Sequence, residues 1–216
     1  TFEEASAVLG YDLWDVTEQG PEERLGQTQV TQPALLAAGI ATWRVWLDRG
    51  GQTPDFMAGH SLGGYTARVA AGALDFEVAI GRVARRGEML QRATPAGSGA
   101  MAAVLGLDDD VLAAVCEQAS DAGVVSCANF NSPGPVVIAG ERAAVDRACE
   151  LAGEAGARRA VPLAVSVPSH CALMAPAAEG MRAVLEQAEV RAPKIPVLHN
   201  VDTRVRSAPD EIRAAL

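Results

Sequence analysis

The sequence has 216 residues, of which 49% are apolar and 21% are charged. These values are typical of a globular protein with one sizeable core and, at most, a smaller appended unit. No apolar run approaches the roughly 18 residues that a membrane span needs, and we expect no secretory leader because residues 1–20 lack the charged-then-apolar pattern. The formal net charge of −9 argues against general nucleic-acid binding, since phosphates would be repelled.

The cysteines indicate a reducing compartment. Cys116, Cys127, Cys149 and Cys171 show neither Cys-x-x-Cys spacing nor a paired histidine pattern, which disfavours a structural zinc site. No phosphate loop or dinucleotide fingerprint stands out either. We therefore expect a cytoplasmic protein with no bound metal or cofactor.

Both ends of the chain look cut. Residues 2–9 follow helical spacing up to Gly10, immediately after a Thr1 that is not an initiator methionine. The segment 207–210, Ser-Ala-Pro-Asp, predicts a capping box that opens a helix running to Leu216. We expect the chain to be a fragment of a longer product.

The first half of the chain predicts a parallel α/β sheet. Thr31-Gln32-Pro33 opens a helix with proline near its first turn, and Gly50-Gly51 ends it. Its buried stripe consists of Leu35, Leu36, Gly39, Ile40, Trp43, Trp46 and Leu47. A short apolar strand at 56–58 then leads through a Gly-rich turn into a helix from Leu62 to about Ala73. Helix, short strand, sharp turn and helix are typical of a parallel α/β fold.

The middle of the chain predicts a smaller module. Its strands are expected at 100–107, 124–130, 136–139 and 160–167, and its helices at 108–120 and 143–153, with a turn at 131–134. This βαββαβ order is that of a ferredoxin-like module. The predicted fold class is therefore α/β, with a hydrolase-like core at 1–94 and 168–216 and a ferredoxin-like inserted subdomain at 95–167.

A nucleophile motif lies between the strand and the helix. Gly59-His60-Ser61-Leu62-Gly63 matches G-x-S-x-G in the strand–turn–helix context that the motif requires. The flanking glycines are expected because a Cβ at either position would crowd the neighbouring backbone. The turn would present the Ser61 hydroxyl at a helix N-terminus, where the Leu62 N–H can stabilise an oxyanion.

A serine nucleophile needs a base, and the chain has three histidines, His60, His170 and His199. His60 adjoins the nucleophile and is more plausible as a wall or hydrogen-bonding residue. His199 follows an apparent strand, 195–198, and His170 follows the exit of the inserted module. Chemistry favours His170 over His199 as the base but leaves both open.

Six segments together resemble the malonyl-CoA:acyl carrier protein transacylases and, more broadly, the acyltransferase domains of fatty acid and polyketide synthases. They span nearly the whole chain in that family's order: 11–14, 31–34, 59–63, 99–103, 129–134 and 165–170. The resemblance implies Ser61 as nucleophile and His170 as its base, without a carboxylate. It also implies a coenzyme A thioester as substrate, with malonyl-CoA and acyl carrier protein as partners, and the two-part fold described above.

Arg86 is the expected substrate-binding residue. Within a predicted helix at 76–92 it falls beside Leu90 at the edge of the apolar stripe, while Arg82, Arg85 and Arg92 turn further away. An arginine there can hold a carboxylate through two hydrogen bonds, and the family has its malonyl-binding arginine at this position. Without the resemblance, a surface arginine with a buried stem would explain the pattern better.

Other residues match the family less specifically. His60, Leu62, Gln32 and Asn129 resemble residues that line its cleft, although capping and turn roles explain Gln32 and Asn129 almost as well. Gly64 stands where the family usually has an acidic residue. The family's Gly-Gln-Gly segment, which gives a second oxyanion donor, should precede Thr1.

Two alternatives share the same motif. A serine hydrolase or thioesterase would have the same turn but no need of Arg86. An inactive fragment that only binds carrier protein would keep the docking surface, for which the arginines near 82–92 and 158–159 are candidates despite the negative net charge.

Overall fold

The structure is a computed structural model that describes residues 1–132, 134–165 and 167–215. The chain divides into two compact units, Thr1–Glu88 with Gly180–Leu216, and Met89–Glu179. The helices are α1 Phe2–Leu9, α2 Leu13–Gln19, α3 Glu22–Leu25, α4 Thr28–Asp48, α5 Gly63–Ala70, α6 Phe76–Ala93, α7 Asp109–Ala119, α8 Arg142–Glu154, α9 Ala175–Glu186 and α10 Pro209–Ala214. The strands are β1 Met57–Ala58, β2 Gly99–Leu105, β3 Val125–Phe130, β4 Pro135–Glu141, β5 Arg159–Pro162 and β6 Val197–Leu198.

The helix ends of the first unit follow the predicted glycines. Helix α1 ends at Gly10, whose φ is 75°. Helix α4 ends with two crossed bonds, from the Gly50 N–H to the Leu47 carbonyl (3.0 Å) and from the Gly51 N–H to the Trp46 carbonyl (2.8 Å). These bonds form a Schellman motif, with Gly50 in the left-handed conformation at φ 77°. The predicted end of this helix is confirmed. Its predicted buried stripe is confirmed at Leu36 and Ile40 but wrong at Leu35, Trp46 and Leu47, which are exposed.

The predicted start of α4 is wrong by three residues. The helix begins at Thr28, and Pro33 lies inside it. The Gln27 carbonyl accepts hydrogen bonds from Val30 and Thr31, both at 2.8 Å, and so closes the first turn ahead of the proline. Pro33 falls in the second turn, where it forfeits one helical hydrogen bond and the rest of the buried face holds the helix.

The predicted capping box at 207–210 is also wrong. The N-cap of α10 is Ala208, which has no side chain that could cap, and Pro209 occupies the first helical position. Proline presets the backbone for that position and has no N–H to satisfy. The helix ends at Ala214, and Leu216, where we expected it to run, lies outside the described residues.

Strand β1 pairs with β6 in parallel, Met57 opposite Val197 and Ala58 opposite Leu198. A small apolar cluster that includes Ala67, Ala71, Ile195 and Val197 packs α5 against this pair. The α/β class with a parallel strand pair is thus present in the first unit. Its main core lies among α1, α2, α4, α5 and α6, around buried residues such as Leu36, Ile40 and Ile80.

The second unit contains an antiparallel sheet with strand order β3-β4-β2-β5. Helices α7 and α8 cover one face of it, and their apolar residues share a core with β2, β3 and β4. The chain therefore passes through strand, helix, two strands, helix and strand, the order that the sequence predicts. A register shift between Cys127 and Asn129 interrupts the β3–β4 ladder.

The last strand is shorter than predicted. Strand β5 stops at Pro162, whereas the apolar pattern predicts a strand through 167. After the Leu163 N–H donates to the Met101 carbonyl (2.9 Å), the chain turns, and the Val165 N–H donates to Leu163 (3.0 Å). The apolar pattern here marks neither pairing nor general burial, because Leu163 and Val165 are exposed and only Val167 is buried. Ser166 and the Pro133 of the predicted turn lie outside the described residues.

Within the described ranges, no helix is both long and apolar enough to cross a membrane.

Candidate active site

The G-x-S-x-G segment forms a tight turn between β1 and α5. Ser61 has a φ of 51°, in the left-handed region that a non-glycine residue rarely occupies. The Gly63 N–H donates to the His60 carbonyl (2.8 Å) and the Gly64 N–H donates to the Ser61 carbonyl (3.0 Å). A backbone held in this region costs about 1–3 kcal/mol and persists where its surroundings over-determine it, as they often do at active sites.

The two flanking glycines have different reasons to be present. A Cβ on Gly59 would overlap the carbonyl group of Gly63, so no larger residue fits there. A Cβ on Gly63 would find no described neighbour within 4 Å. The predicted crowding is therefore confirmed at Gly59 and wrong at Gly63, where α5 begins and the missing side chain would point into open space.

Arg86 contacts the Ser61 hydroxyl directly. Its NH2 group donates to Ser61 Oγ over 3.0 Å, and its NH1 group donates to Gln32 Oε1 over 2.7 Å. Gln32 is buried on α4, with 6% of its surface exposed, and Arg86 comes from α6. The structure thus brings three predicted site residues together in the first unit: Ser61, Arg86 and Gln32.

The charge of Arg86 is not balanced by an acidic side chain. Among the described residues, neither a hydrogen bond nor an ion pair joins Arg86 to a carboxylate. Burial lowers the pKa of Arg86, and the nearby Tyr65 opposes this shift. Arginine nevertheless stays charged in proteins. A partly buried guanidinium with two neutral partners is suited to receive an anion.

The neighbouring arginines behave differently. Arg85 is exposed and forms an ion pair with Glu88 at 2.7 Å, as expected for a solvent-facing position. Arg82 is half-buried, and its NH1 atom has no hydrogen-bond partner among the described atoms. Burial lowers the pKa of Arg82. The expectation that Arg82 faces away with Arg85 is therefore wrong, because α6 buries a wider face than its apolar stripe.

A buried arginine that was not among the predicted site residues lies beside the turn. Arg68 is 3% exposed, and its NH1 group donates to the Gly64 carbonyl over 2.6 Å while its NH2 group meets His199 Nδ1 at 2.8 Å. Burial lowers the pKa of Arg68 to about 10. The signal that predicts this placement is the spacing of Gly64 and Arg68, four residues apart on one helix face.

The Nδ1 atom of His199 is occupied by its hydrogen bond with Arg68. Arginine has no acceptor, so His199 Nδ1 must accept the hydrogen bond and the ring must be neutral with its proton on Nε2. Burial, followed by the charges of Arg68 and Arg206, lowers the pKa of His199 to about 4. With 2% exposure and so low a pKa, His199 is a poor general base near neutral pH. This weighs against one of the two candidates that the sequence left open.

The other predicted residues near the turn are His60 and Leu62. Leu62 is buried, and its N–H directly precedes the two amides that donate within the turn. His60 is exposed and lines a cavity of about 380 Å³ together with Gly59, Leu198, His199, Asn200 and Thr203. His60 therefore lies beside the nucleophile as a wall residue of this cavity.

His170 and Asn129 belong to the second unit, and their membership of a site with Ser61 stays a prediction. His170 has a φ of 63°, the same unusual backbone region as Ser61. The adjacent Cys171 Sγ donates to the Pro168 carbonyl over 3.1 Å, and burial raises the pKa of this thiol. Asn129 is 8% exposed and lies on β3 at the register shift.

No group of three or more histidine, cysteine, aspartate or glutamate side chains suited to a metal ion occurs in the described parts of the chain. All four cysteines are free thiols.

Comparison with known proteins shows the family to which the chain belongs. Residues 2–214 match the family model described as "Acyl transferase domain", and the chain belongs to this family. Within it, the chain is 56% identical to the malonyl CoA-acyl carrier protein transacylase of Haemophilus influenzae, over 100% of this chain and 70% of that protein. The corresponding Escherichia coli K12 protein is 55% identical with the same coverage.

Solved structures agree with this assignment. An acyl carrier protein S-malonyltransferase from Vibrio cholerae superposes with a TM-score of 0.95 at 55% identity, covering 99% of this chain and 70% of that one. The malonyl-transacylase in a complex with a type II polyketide synthase acyl carrier protein gives 0.97 at 54% identity, with 99% and 69% coverage. The chain is thus similar in fold and sequence to malonyl transacylases.

Proposed function

We propose that this protein transfers a malonyl group from coenzyme A to the phosphopantetheine thiol of acyl carrier protein, in fatty acid or polyketide biosynthesis, through an ester on Ser61. One observation carries the substrate assignment: the partly buried Arg86 cation touches the Ser61 hydroxyl and meets no carboxylate among the described residues. A substrate that brings its own carboxylate satisfies that charge at the reacting atom. The family membership supports the same reaction.

The first half-reaction loads Ser61. His170 takes the proton of the Ser61 hydroxyl as the oxygen attacks the thioester carbonyl carbon of malonyl-CoA. The negative charge on the carbonyl oxygen is stabilised by the Leu62 N–H at the start of α5. The carbon–sulfur bond then breaks, coenzyme A leaves with the proton from His170, and a malonyl ester remains on Ser61.

The second half-reaction reverses this chemistry with another thiol. The phosphopantetheine thiol of the carrier protein gives its proton to His170 and attacks the ester carbonyl. The carbon–oxygen bond to Ser61 breaks, Ser61 recovers a proton and malonyl thioester is released. Excluding water from the ester makes the enzyme a transferase and not a hydrolase.

Arg86 and Gln32 hold the substrate carboxylate. We assign Arg86 a bidentate bond to the malonyl carboxylate, for which its planar guanidinium is suited. In the absence of substrate, Arg86 donates to Ser61 Oγ, so the entering carboxylate takes over a donor and frees the nucleophile. Gln32 anchors the other end of the guanidinium. Asn129 and His60 are proposed as further residues of the binding cleft.

We also propose a two-part fold and a cytoplasmic location for the protein. We assign residues 95–167 to a ferredoxin-like subdomain inserted in a hydrolase-like core formed by 1–94 and 168–216. The strand order β3-β4-β2-β5 supports this assignment. The compact unit Met89–Glu179 has slightly wider bounds. A cytoplasmic location fits a protein with four free cysteines.

Intact mass spectrometry after mixing with malonyl-CoA tests the function. Transfer predicts a lasting malonyl adduct that Ser61→Ala abolishes and that added holo acyl carrier protein removes. Rapid release of free malonate would instead indicate a hydrolase or thioesterase. Carrier-protein binding with no adduct at all would indicate an inactive binding module.

The assignment of the base is tested by two matched histidine variants. His170→Asn should slow Ser61 acylation by about 10²-fold or more, which is the typical contribution of a general base. His199→Asn removes the rival base while Asn can still accept a bond from Arg68. If His199→Asn lowered the acylation rate as far as His170→Asn did, the assignment of His170 would be wrong.

A further inference from the structure

We propose that Arg68 is a positioning residue for Ser61, because its guanidinium clamps the first turn of α5 to the end of β6 and thereby fixes the nucleophile turn. The inference rests on the proposed acyl transfer through Ser61. It concerns a residue that forms no part of the substrate-binding contacts described above.

Arg68 completes a closed circuit of contacts around the turn. Strand β1 leads through Gly59 into Ser61, and α5 leads from the turn to Arg68. Arg68 meets His199, which directly follows β6, and β6 pairs with β1. Each link is a backbone pairing or a hydrogen bond, so the turn is held from both of the elements that enclose it.

Two hydrogen bonds through the Gly64 peptide connect Arg68 to Ser61. Its NH1 group donates to the Gly64 carbonyl over 2.6 Å, while the N–H of the same Gly64 donates to the Ser61 carbonyl over 3.0 Å. Gly59 packs against the adjoining Gly63 carbonyl with no room for a Cβ. A shift of the Gly64 peptide would therefore be transmitted to the strained Ser61 backbone.

Gly64 makes the clamp possible. A Cβ at this position would lie 2.8 Å from Arg68 NH1, closer than real contacts allow, while its other neighbours, Gly59 and Asn200, lie at ordinary distances of 3.6 and 3.8 Å. The guanidinium thus fills the space that a side chain at position 64 would need. The position of the Arg68 guanidinium therefore depends on the absence of a side chain at Gly64.

Burial of the Arg68 guanidinium has an unfavourable desolvation free energy, so it is not an efficient way to stabilise the fold. Arg68 is buried without a hydrogen bond or ion pair to a carboxylate in the described ranges, and its Nε atom has no partner there. Replacing a whole buried polar cluster by apolar residues of similar volume is often neutral or stabilising, although removing one member alone leaves its partners unsatisfied. A role in holding the reactive geometry accounts for a buried charge that stability alone does not require.

The test compares Arg68→Met with the unchanged protein by two reactions at Ser61: acylation by malonyl-CoA, and labelling by a fluorophosphonate, which needs the nucleophile turn but no carboxylate site. We expect both rates to fall about tenfold to a hundredfold, with KM for malonyl-CoA within twofold and the variant fully folded at the assay temperature. Arg85→Met, which removes an exposed guanidinium from the next helix, should leave both rates unchanged.

A second variant keeps the test decisive if Arg68→Met does not fold. Gly64→Ala displaces the guanidinium without removing it, so it should slow fluorophosphonate labelling in the otherwise unchanged protein. Where Arg68→Met does fold, the same change in that background should have no further effect beyond twofold. Equal labelling rates in the unchanged protein, Arg68→Met and Gly64→Ala would overturn the proposal, as would a loss of rate fully explained by a lower melting temperature.

The two reagents separate this inference from the proposed function. If the unchanged protein reacts with the fluorophosphonate but forms no malonyl adduct, acyl transfer of malonyl is refuted while the role of Arg68 is still measured by labelling. If the malonyl adduct forms equally in the unchanged protein and a folded Arg68→Met, the positioning role is refuted and the proposed function stands.

Discussion

The Arg86 guanidinium donates a hydrogen bond to the Ser61 hydroxyl oxygen over 3.0 Å. This contact joins the residue proposed to select the substrate to the residue proposed to react with it. A hydrogen bond donated by a cation stabilises negative charge on the acceptor oxygen. Because the substrate carboxylate is proposed to take over this donor, substrate binding and release of the Ser61 hydroxyl would be coupled through one side chain.

Arg86→Ala should shift acyl selectivity. Loss of a bidentate carboxylate contact is expected to cost about 3 kcal/mol, roughly a hundredfold in kcat/KM for malonyl-CoA. Loading from acetyl-CoA, which has no carboxylate, should fall much less. The ratio of malonyl to acetyl adduct on Ser61, measured by intact mass, reports the effect. Arg85→Ala is the matched control, and an unchanged ratio in Arg86→Ala would contradict the proposed clamp.

Gln32→Leu should weaken malonyl binding while keeping the fold. The substitution removes the acceptor of Arg86 NH1 at a buried position, so the guanidinium loses its anchor. We expect a loss of about 1.5 kcal/mol, close to tenfold, in kcat/KM for malonyl-CoA. Steady-state kinetics measures it, with the exposed Gln52→Leu as control. Equal values for the two variants would show that Gln32 does not orient Arg86.

The two glycines of the turn should respond oppositely to alanine. Gly59→Ala forces a Cβ into the Gly63 carbonyl and should cost about 3 kcal/mol or more. Gly63→Ala meets open space at the first position of α5 and should stabilise by up to about 1 kcal/mol through helix propensity. Urea unfolding of both variants checks this. Similar destabilisation at the two positions would contradict the geometry of the turn.

The stability of the protein should fall in mild acid because of His199. Its folded-state pKa of about 4 lies below the ordinary value of 6.5, so the unfolded chain binds more protons between these values. The contribution is fully present above pH 6.5 and is lost as the pH falls towards 4, up to about 3 kcal/mol. Urea unfolding from pH 7 to 4 should show this loss, and His199→Gln should reduce the slope. A slope unchanged by the substitution would exclude His199 as its source.

The sequence predicts most of the elements that depend on local patterns. Glycine positions predict the ends of α1 and α4, and alternating composition predicts the strand and helix order of the second unit. Boundaries set by longer-range contacts are predicted less well. Strand β5 stops where its pairing with β2 stops, although its apolar pattern continues. Pro33 indicates a nearby helix start, but the closing bonds at Gln27 fix the start three residues earlier.

Burial of polar groups is the part of the site that the sequence predicts least. Helical periodicity places Arg86 at the edge of a buried stripe, yet its bond to Ser61 depends on how α6 meets the turn. Arg68 lies in an ordinary helical segment, and its burial depends on a glycine four residues earlier and on His199, 131 positions later. The spacing of Gly64 and Arg68 can be read from the local sequence, but the contact with His199 cannot. A resemblance to a family identifies shared residues but gives no signal for this pair.

The parallel pairing of β1 with β6 has a consequence for synthesis of the protein. Met57 and Ala58, which lead into the nucleophile turn, find their hydrogen-bond partners at Val197 and Leu198, and the whole of Met89–Glu179 is translated in between. During elongation on the ribosome, the intervening unit can collapse while this strand still lacks its neighbour. Ser61 should therefore acquire its native backbone only after Val197 and Leu198 have been translated and have paired with the strand that precedes it.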